Sequence, residues 1–424
     1  MDQKVWLCGL ALIARAASAQ LSDTGSTDTL RLTRVQAVDT ALKHNPQLVV
    51  AREQVVEARA QKLSQWAIPD PTGNVGLITE AGAPTQKPIS ATIAIPFPDK
   101  FRLNYKIGTS LVVNAQANYT ALKQQIASQT AQTYDSLRVA LRHHSDLTET
   151  RDLSADFLKK TQARFDAGTA PKLDVIRAQV DLAGTQNSLI ANERDITTAR
   201  ASLNRLLGRP LGLPVAPADS LEVPAPLPPL APVEKSALAA RPELAGLQAQ
   251  IDGAKATTTL AEEFWLPDIT GGLEWDLGAP DAAFPNKNAI FSYGLSLPIP
   301  IFFWQHTGGD IRNSRHHERE LEASYRDLVA SIDQDVRLSY ATAATAVEQA
   351  IYLRDQLLPA ARAAYQVAST SYGLGGSSAL DVLSARRDLV SAQSQYTDAL
   401  AAANQAEANL ERAAAAPLSQ FHGQ

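Results

Sequence analysis

The chain has 424 residues, 20% of them charged and 6% aromatic, with a formal net charge of −5. That length admits two or three ordinary domains or one elongated one. No basic block of the kind that tracks a phosphate backbone is present, which argues against nucleic acid as a partner, and abundant alanine points to long helices.

Residues 1–19 read as a secretory signal peptide. Lys4 supplies a thin positive start, Val5 to Ala14 an apolar core, and Ala17-Ser18-Ala19 a small-residue cleavage site before Gln20. Cys8 is the single cysteine and falls inside this segment, so the mature chain would have no disulfide and no thiolate chemistry. It lacks a leucine three residues upstream and a small residue just before it, and no N-terminal lipid anchor is expected. No other apolar run approaches the roughly 18 residues of a membrane-spanning helix, so an exported chain of this kind is either soluble or a barrel.

Residues 20–209 form a first predicted unit, taken in order as a helix over about 34–66, two strands, a very long helix and a shorter partner helix. Ile89, Ala91, Ile93 and Ile95 alternate with Ser90, Thr92 and Ala94, while the strand at 72–80 is weaker and a Gly/Pro-containing loop at 81–88 joins the pair. From about 102 to 167 there is no proline, which predicts a rod on the order of 100 Å long. The segment FDAGTAP ends that rod as a tight tip. In the partner helix Val175, Leu182, Leu189, Ile196 and Leu203 fall every seven positions, an apolar seam facing a neighbour. Residues 210–232 hold eight prolines and predict a stiff, non-helical connector.

Residues 233–416 repeat the plan. RFDAGTAPKLDVIRAQVDL (164–182) matches SYGLGGSSALDVLSARRDL (371–389) at an offset of 207, and IPDPTGNVGL (68–77) matches LPDITGGLEW (266–275). A helix over about 233–264 leads into Ile269, Gly271, Leu273 and Trp275, which alternate with Thr270, Gly272, Glu274 and Asp276. After a loop at 278–288, Phe291, Tyr293, Leu295, Leu297 and Ile299 alternate with Ser292, Gly294 and Ser296. The second rod, about 308–372, contains only Pro359, and its partner helix carries Val382, Leu389, Tyr396, Ala403 and Leu410 beside a line of alanines from Ala385 to Ala413. Residues 417–424 are a C-terminal tail.

Strands of about ten residues with one apolar and one polar face suit a bilayer-spanning barrel, although an ordinary half-buried hairpin has the same pattern. Trp66, Trp265, Trp275 and Trp304 all lie in or beside the strand segments, like the aromatic girdle at a membrane interface. Four strands per chain leave open edges that lipid does not tolerate, so closure needs further copies.

With the repeat, the strands and the F/Y-x-x-G…L-D-V tips in hand, the chain resembles the outer-membrane efflux factor (TolC-like) family. RPELAGLQAQIDGAKA and GLSLPIPIFFWQHTGGDIRNSR are similar to its cobalt-zinc-cadmium (CzcC-like) branch. The resemblance implies an α+β membrane protein. Long helices form a coiled-coil barrel, and four strands per protomer close, in a homotrimer, a twelve-stranded outer-membrane β-barrel set in lipid. Implied partners are a periplasmic adaptor (membrane fusion protein) and an inner-membrane pump of the RND type. The role implied is a passive gated duct for heavy-metal cations, with drug efflux or type I protein secretion as alternatives and a periplasmic coiled-coil scaffold as a further one.

By the same resemblance the periplasmic entrance is narrowed by acids past the second tip, where Asp381 falls. Ser384 stands where some relatives carry a second acid, and Asp174 is the offset-related carboxylate of the first tip. Both aspartates equally suit the N-terminal turn of a helix. Phe165, Gly168, Thr169, Tyr372, Gly375 and Gly376 are the expected adaptor-docking tips, and Glu274 and Asp276 the expected lumen residues. Neighbouring residues on a helix diverge by about 100°, so neither His143-His144 nor His316-His317 chelates a metal. No G-x-x-x-x-G-K-[ST], G-x-S-x-G or H-E-x-x-H occurs, and no enzyme, cofactor or metal site is expected.

Overall fold

The structure, a computed structural model, describes residues 29–77, 87–276, 289–297, 299 and 301–421. The expected signal peptide with Cys8, most of both strand-joining loops, and the side chain of Asp276 lie outside the described residues.

The chain runs β1 (Leu30–Leu32), α1 (Arg34–His44), α2 (Pro46–Trp66), β2 (Thr72–Val75), β3 (Pro88–Ile95), α3 (Pro98–Asp166), α4 (Lys172–Leu206) and β4 (Val215–Pro217). There follow α5 (Leu230–Ala240), α6 (Pro242–Glu262), β5 (Asp268–Asp276), β6 (Ala289–Ser296), α7 (Thr307–Tyr352), a π turn (Leu353–Leu357), α8 (Leu358–Gly373) and α9 (Ala379–Ala414). Two helices, two strands, a long helix and a partner helix thus occur twice in that order.

The leading helix of each half, expected as one rod, is broken at a proline. Asn45 and Arg241, each just before a proline, hold extended ψ angles of 124° and 116°. Proline's ring drives the preceding residue out of the helical region, and it has no N–H with which to continue the ladder. Asn45 repairs the break: its side chain accepts from the Gln47 N–H at 2.9 Å and donates to the Leu206 carbonyl at 3.0 Å.

The first long rod, α3, is one helix of 69 residues, on the order of 100 Å at 1.5 Å per residue. The second rod is interrupted by the π turn just ahead of Pro359. Proline cannot donate to the preceding turn and its ring crowds it, so a widened turn relieves the clash. Buried Ile126, Thr130, Leu137 and Ala140 on α3 are matched by buried Ile332, Val336, Ala343 and Ala346 on α7, at an offset of 206 instead of the 207 found at the tips. One extra residue in the π turn accounts for the difference.

The heptads face their partners. Val175, Ala178, Ile196 and Leu203 are buried on α4, as are Val382, Leu389, Ala403 and Leu410 on α9. Leu203 and Leu410 are fully buried, each contributing about 1.5–3 kcal/mol relative to exposure. α4 packs on α3, α3 on α9, and α9 on α7 and α8. Ala399, Ala406 and Ala413 bring α9 close to α7, in a core shared with Ile332, Val336 and Ala343.

Two features depart from the expected plan. β1 pairs in parallel with β4, so the stretch 210–232 contains a strand and the first turn of α5. The tail is likewise tied down, with Leu418 and Phe421 buried in the same core as α9. The connector is held by polar groups: Arg138 donates to the Ser220 carbonyl, Asn404 to the Glu222 carbonyl, and the Arg34 N–H to Asp219. Arg34 also contacts Asp135 at 3.4 Å, Glu407 at 3.5 Å and Glu411 at 3.9 Å.

Candidate functional site

Two regions concentrate the chemistry, the sheet at one end of the rods and the hairpin tips at the other. The sheet is antiparallel in the order β2-β3-β5-β6. Residues directly opposite one another share a face, so the register sorts the side chains. Ile93, Gly271 and Tyr293 align across the middle, Ile95, Ile269 and Leu295 toward one end, and Ala91, Leu273 and Phe291 toward the other. This apolar face is uncovered: Tyr293 is 95% exposed and Phe291 78%.

The opposite face aligns Thr72, Thr92, Gly272 and Ser292, then Asn74, Ser90 and Glu274. Glu274 therefore lies on the polar face as expected, with Asp276 two residues further along β5. The Thr72 and Thr92 hydroxyls meet at 2.8 Å. Trp275 sits toward one end of β5, and Trp265 precedes the other. Seven steps between Asp268 and Trp275 span about 23 Å, close to the apolar band of an outer-membrane barrel. At the rod end Trp66 packs edge-on against Phe101 at 5.5 Å and Tyr105 at 5.9 Å, and Trp304 edge-on against Phe302 at 6.0 Å.

The tips are built by one local rule. Gly168 has φ +71° and Gly375 φ +85°, a left-handed turn that an L side chain adopts only with strain. The next N–H in each case reaches back five residues, from Thr169 to the Arg164 carbonyl and from Gly376 to the Ser371 carbonyl, both at 2.8 Å. That is the helix-ending pattern a glycine at this position permits. The Thr169 hydroxyl also donates to the Arg164 carbonyl, and Phe165 is 37% exposed.

Tyr372 departs from its expected role. It is 2% exposed, so it does not face outward toward an adaptor. Its ring lies 5.4 Å from Phe157 and 4.4 Å from the Arg164 guanidinium, which also donates to the Tyr372 carbonyl at 2.6 Å. Tyr372 therefore joins the second tip to the first hairpin.

Asp381 occupies the third position of α9. Its carboxylate accepts from the Ser378 N–H at 2.9 Å and the Ser378 hydroxyl at 2.8 Å, while the Asp381 N–H donates to that hydroxyl. These bonds, the backbone one foremost, hold its carboxyl below the usual range, so it is ionised at neutral pH. Asp174 stands in the first turn of α4, 3.7 Å from Arg177. Ser384 is exposed one turn past Asp381. His143 reaches Asp398 at 3.2 Å and His317 reaches Glu320 at 3.4 Å. Among the described residues no group of three His, Cys, Asp or Glu is placed to hold a metal ion.

A lock between the hairpins escaped the sequence. Arg386 on α9 pairs with Asp181 on α4 and with the Ser154 hydroxyl on α3, its side chain 7% exposed against 10% for Asp181. Burial, with the neighbouring Arg387 cation, pulls its guanidinium down to about 10.

The model of the family described as outer membrane efflux protein matches the chain over residues 37–209 and 233–416. The chain belongs to this family. The pyoverdine export outer membrane protein OpmQ of Pseudomonas aeruginosa is 25% identical over 332 residues, 77% of this chain and 68% of OpmQ. The cobalt-zinc-cadmium resistance protein CzcC of Cupriavidus metallidurans is 23% identical over 70% of this chain and 69% of CzcC. The outer-membrane channel OprN has the same fold, with a TM-score of 0.78 and 19% identity over 91% of this chain and 90% of OprN. As an outer membrane efflux protein, the chain is an outer-membrane efflux channel.

Proposed function

We propose that three copies of this outer membrane efflux protein close one twelve-stranded barrel, joined to a tunnel of twelve helices whose tips form the periplasmic entrance. The observation that carries this reading is the four-stranded sheet, with an uncovered apolar face and a polar face of Thr92, Glu274 and Ser292. Such a sheet is stable in lipid only when its edges, β2 and β6, pair with other copies. The apolar face then meets lipid and the polar one lines the pore. The duct is passive, with transport driven by an inner-membrane pump of the RND type through a periplasmic adaptor docked at exposed tip residues such as Phe165 and Thr169. Its cargo is heavy-metal cations, a reading supported by similarity to CzcC, and Asp381 and Asp174 place carboxylates at the entrance that favour cations. Similarity to OpmQ supports the alternative of an organic cargo.

Lysine at Tyr293, mid-sheet on the apolar face, should cost about 2–4 kcal/mol and deplete outer-membrane trimers, whereas Thr92→Lys on the pore face should leave them abundant. Equal yields would overturn the barrel. Asp381→Asn keeps an acceptor for Ser378 while removing charge, so cation selectivity in single-channel recording should fall. Metal cargo requires that deleting the gene raises sensitivity to cobalt, zinc and cadmium, and unaltered sensitivity would favour the organic alternative.

A further inference from the structure

Next to the sheet, α2, α3, α6 and α7 pack side by side in that order, so the layer they form has two faces. One face gathers cations and aromatic rings. Tyr105, Lys106 and Lys255 line a cavity there, and Trp66 packs edge-on against Tyr105. Glu322 of α7 reaches Lys255 at 3.4 Å, and Arg312 donates to the Trp304 carbonyl at 3.4 Å. Basic side chains in company with tryptophan and tyrosine suit the headgroup level of a membrane, so this face is the outer one.

The other face carries metal-ligating side chains. His306, Asp310, Asn313, His317 and Glu320 recur at steps of three and four along α7 and its cap, which puts them on one side of the helix, and all five are exposed. Their stripe extends over about 21 Å. Arg312, Arg315 and Arg319 fall on the other side of α7. Asn313, His317 and Glu320 line a cavity of about 500 Å³ between α3, α6 and α7, across α6 from the basic one. His317 Nδ1 and Glu320 Oε2 stand 3.4 Å apart. That is long for a hydrogen bond, but two ligands held at about 2.0–2.1 Å by one tetrahedral ion are separated by about 3.3–3.4 Å. The pair therefore already has the bite of such an ion. His316 points about 100° away from His317, so Glu320, and not the neighbouring histidine, supplies the second ligand.

We propose that this stripe lines the interior of the duct beside the barrel and passes divalent transition-metal cations between weak stations, with His317 and Glu320 as the strongest of them. The proposal rests on the metal-cargo reading and deepens it. Imidazole beside carboxylate suits zinc, cobalt and related ions, whereas calcium and magnesium take all-oxygen sites. Among the described residues no third His, Cys, Asp or Glu closes the site, so water completes the shell and the ion is held loosely. Loose binding at several successive sites is what conduction requires, since an ion must be able to leave as well as enter.

The test uses the full-length protein purified from membranes, with Zn²⁺ alone as the probe. Equilibrium dialysis should show zinc binding that weakens at least about tenfold in His317→Ala and in Glu320→Gln, since loss of a residue that merely supports a ligand already costs about 10–100-fold. His44→Ala, whose ring bonds the Thr40 carbonyl, should leave the affinity unchanged. In planar bilayers zinc should lower the single-channel potassium current, and His317→Ala should raise the half-blocking concentration by the same factor. Equal zinc affinity in the parent and both variants would overturn the site. Affinity lost in the variants, with no zinc effect on the parent current, would overturn its place in the interior. A deletion strain that becomes metal-sensitive yet is fully rescued by the His317→Ala/Glu320→Gln protein would overturn the transit role and spare the cargo reading. A deletion strain with unaltered metal sensitivity would overturn the cargo reading and the transit role together.

Discussion

Replacing Arg386 with methionine should loosen the hairpin pair far more than any surface change on the rods. The variant keeps an unbranched stem but strips Asp181 of its partner at a site where that carboxylate is only 10% exposed. One Asp181 oxygen is already buried without a hydrogen bond, so neither oxygen would be satisfied. Ser154 is not stranded, because its hydroxyl also bonds to the Thr150 carbonyl at 2.9 Å. The loss therefore falls on Asp181, and breaking a buried pair from one side costs about 3–5 kcal/mol. If α9 opens locally, that range raises its open population by roughly two to nearly four orders of magnitude. Hydrogen exchange of the detergent-solubilised protein, followed by mass spectrometry over 380–395, reads this directly. The double variant Arg386→Met/Asp181→Leu removes both charges and should recover most of the protection, since an apolar pair of similar volume replaces the ionic one at little net cost. A single variant within about 0.5 kcal/mol of the parent, an ordinary surface effect, would refute the reasoning, as would a double variant no better than the single.

Tyr372→Ala removes a fully packed ring and should cost about 3–5 kcal/mol of local stability, whereas Phe165→Ala at the offset-related position, 37% exposed, should cost far less; equal losses by hydrogen exchange would sink the distinction. Ser378→Ala should destabilise the start of α9 by about 1 kcal/mol and let the Asp381 pKa rise toward its ordinary value, both followed by NMR of labelled protein. Acidity should act in opposite senses at two places. Asp135 is buried and its pKa is raised by desolvation, despite Arg34 and Arg138, and Glu407 is raised for the same leading cause. A raised carboxyl pKa means the folded state binds protons more readily than the unfolded one, so the penalty of ionisation is present above the folded pKa and fades as pH falls toward the unfolded value. Protection in 130–140 should hold or increase as pH falls through that window. At Asp381, whose pKa is lowered, stability is present above the ordinary carboxylate pKa and is lost as pH falls through the folded value. Faster exchange at 130–140 on mild acidification would contradict the first.

What the sequence made legible were the features governed by local period. Alternation at Ile89–Ile95 and Ile269–Trp275 placed the strands, and the register then put Ile95 opposite Ile269 and Ile89 opposite Trp275. Sevenfold spacing from Val175 to Leu203 marked a face that the structure buries. Gly168 and Gly375 announced tips because few other residues accept their φ. Breaks at Asn45-Pro46 and Arg241-Pro242 were legible in principle, since the residue before proline leaves the helical region, but the strong helical pattern on both sides masked them. The short β1–β4 pairing was not legible, because three residues give no usable period and the partners lie far apart in the chain. Nor was the Arg386–Asp181 lock, which depends on which faces of α4 and α9 converge over α3.

Phe165 and Tyr372 show why position within a motif does not settle exposure. They are offset-related, each three residues ahead of a left-handed glycine, and both are aromatic. Tyr372 is buried because the first hairpin lies against it, with Phe157 beneath the ring and Arg164 across its face. Phe165 belongs to the hairpin that ends the array on its α4 side, and no ring or cation contact covers it among the described residues. The difference lies in neighbours, not in the helix that carries each ring.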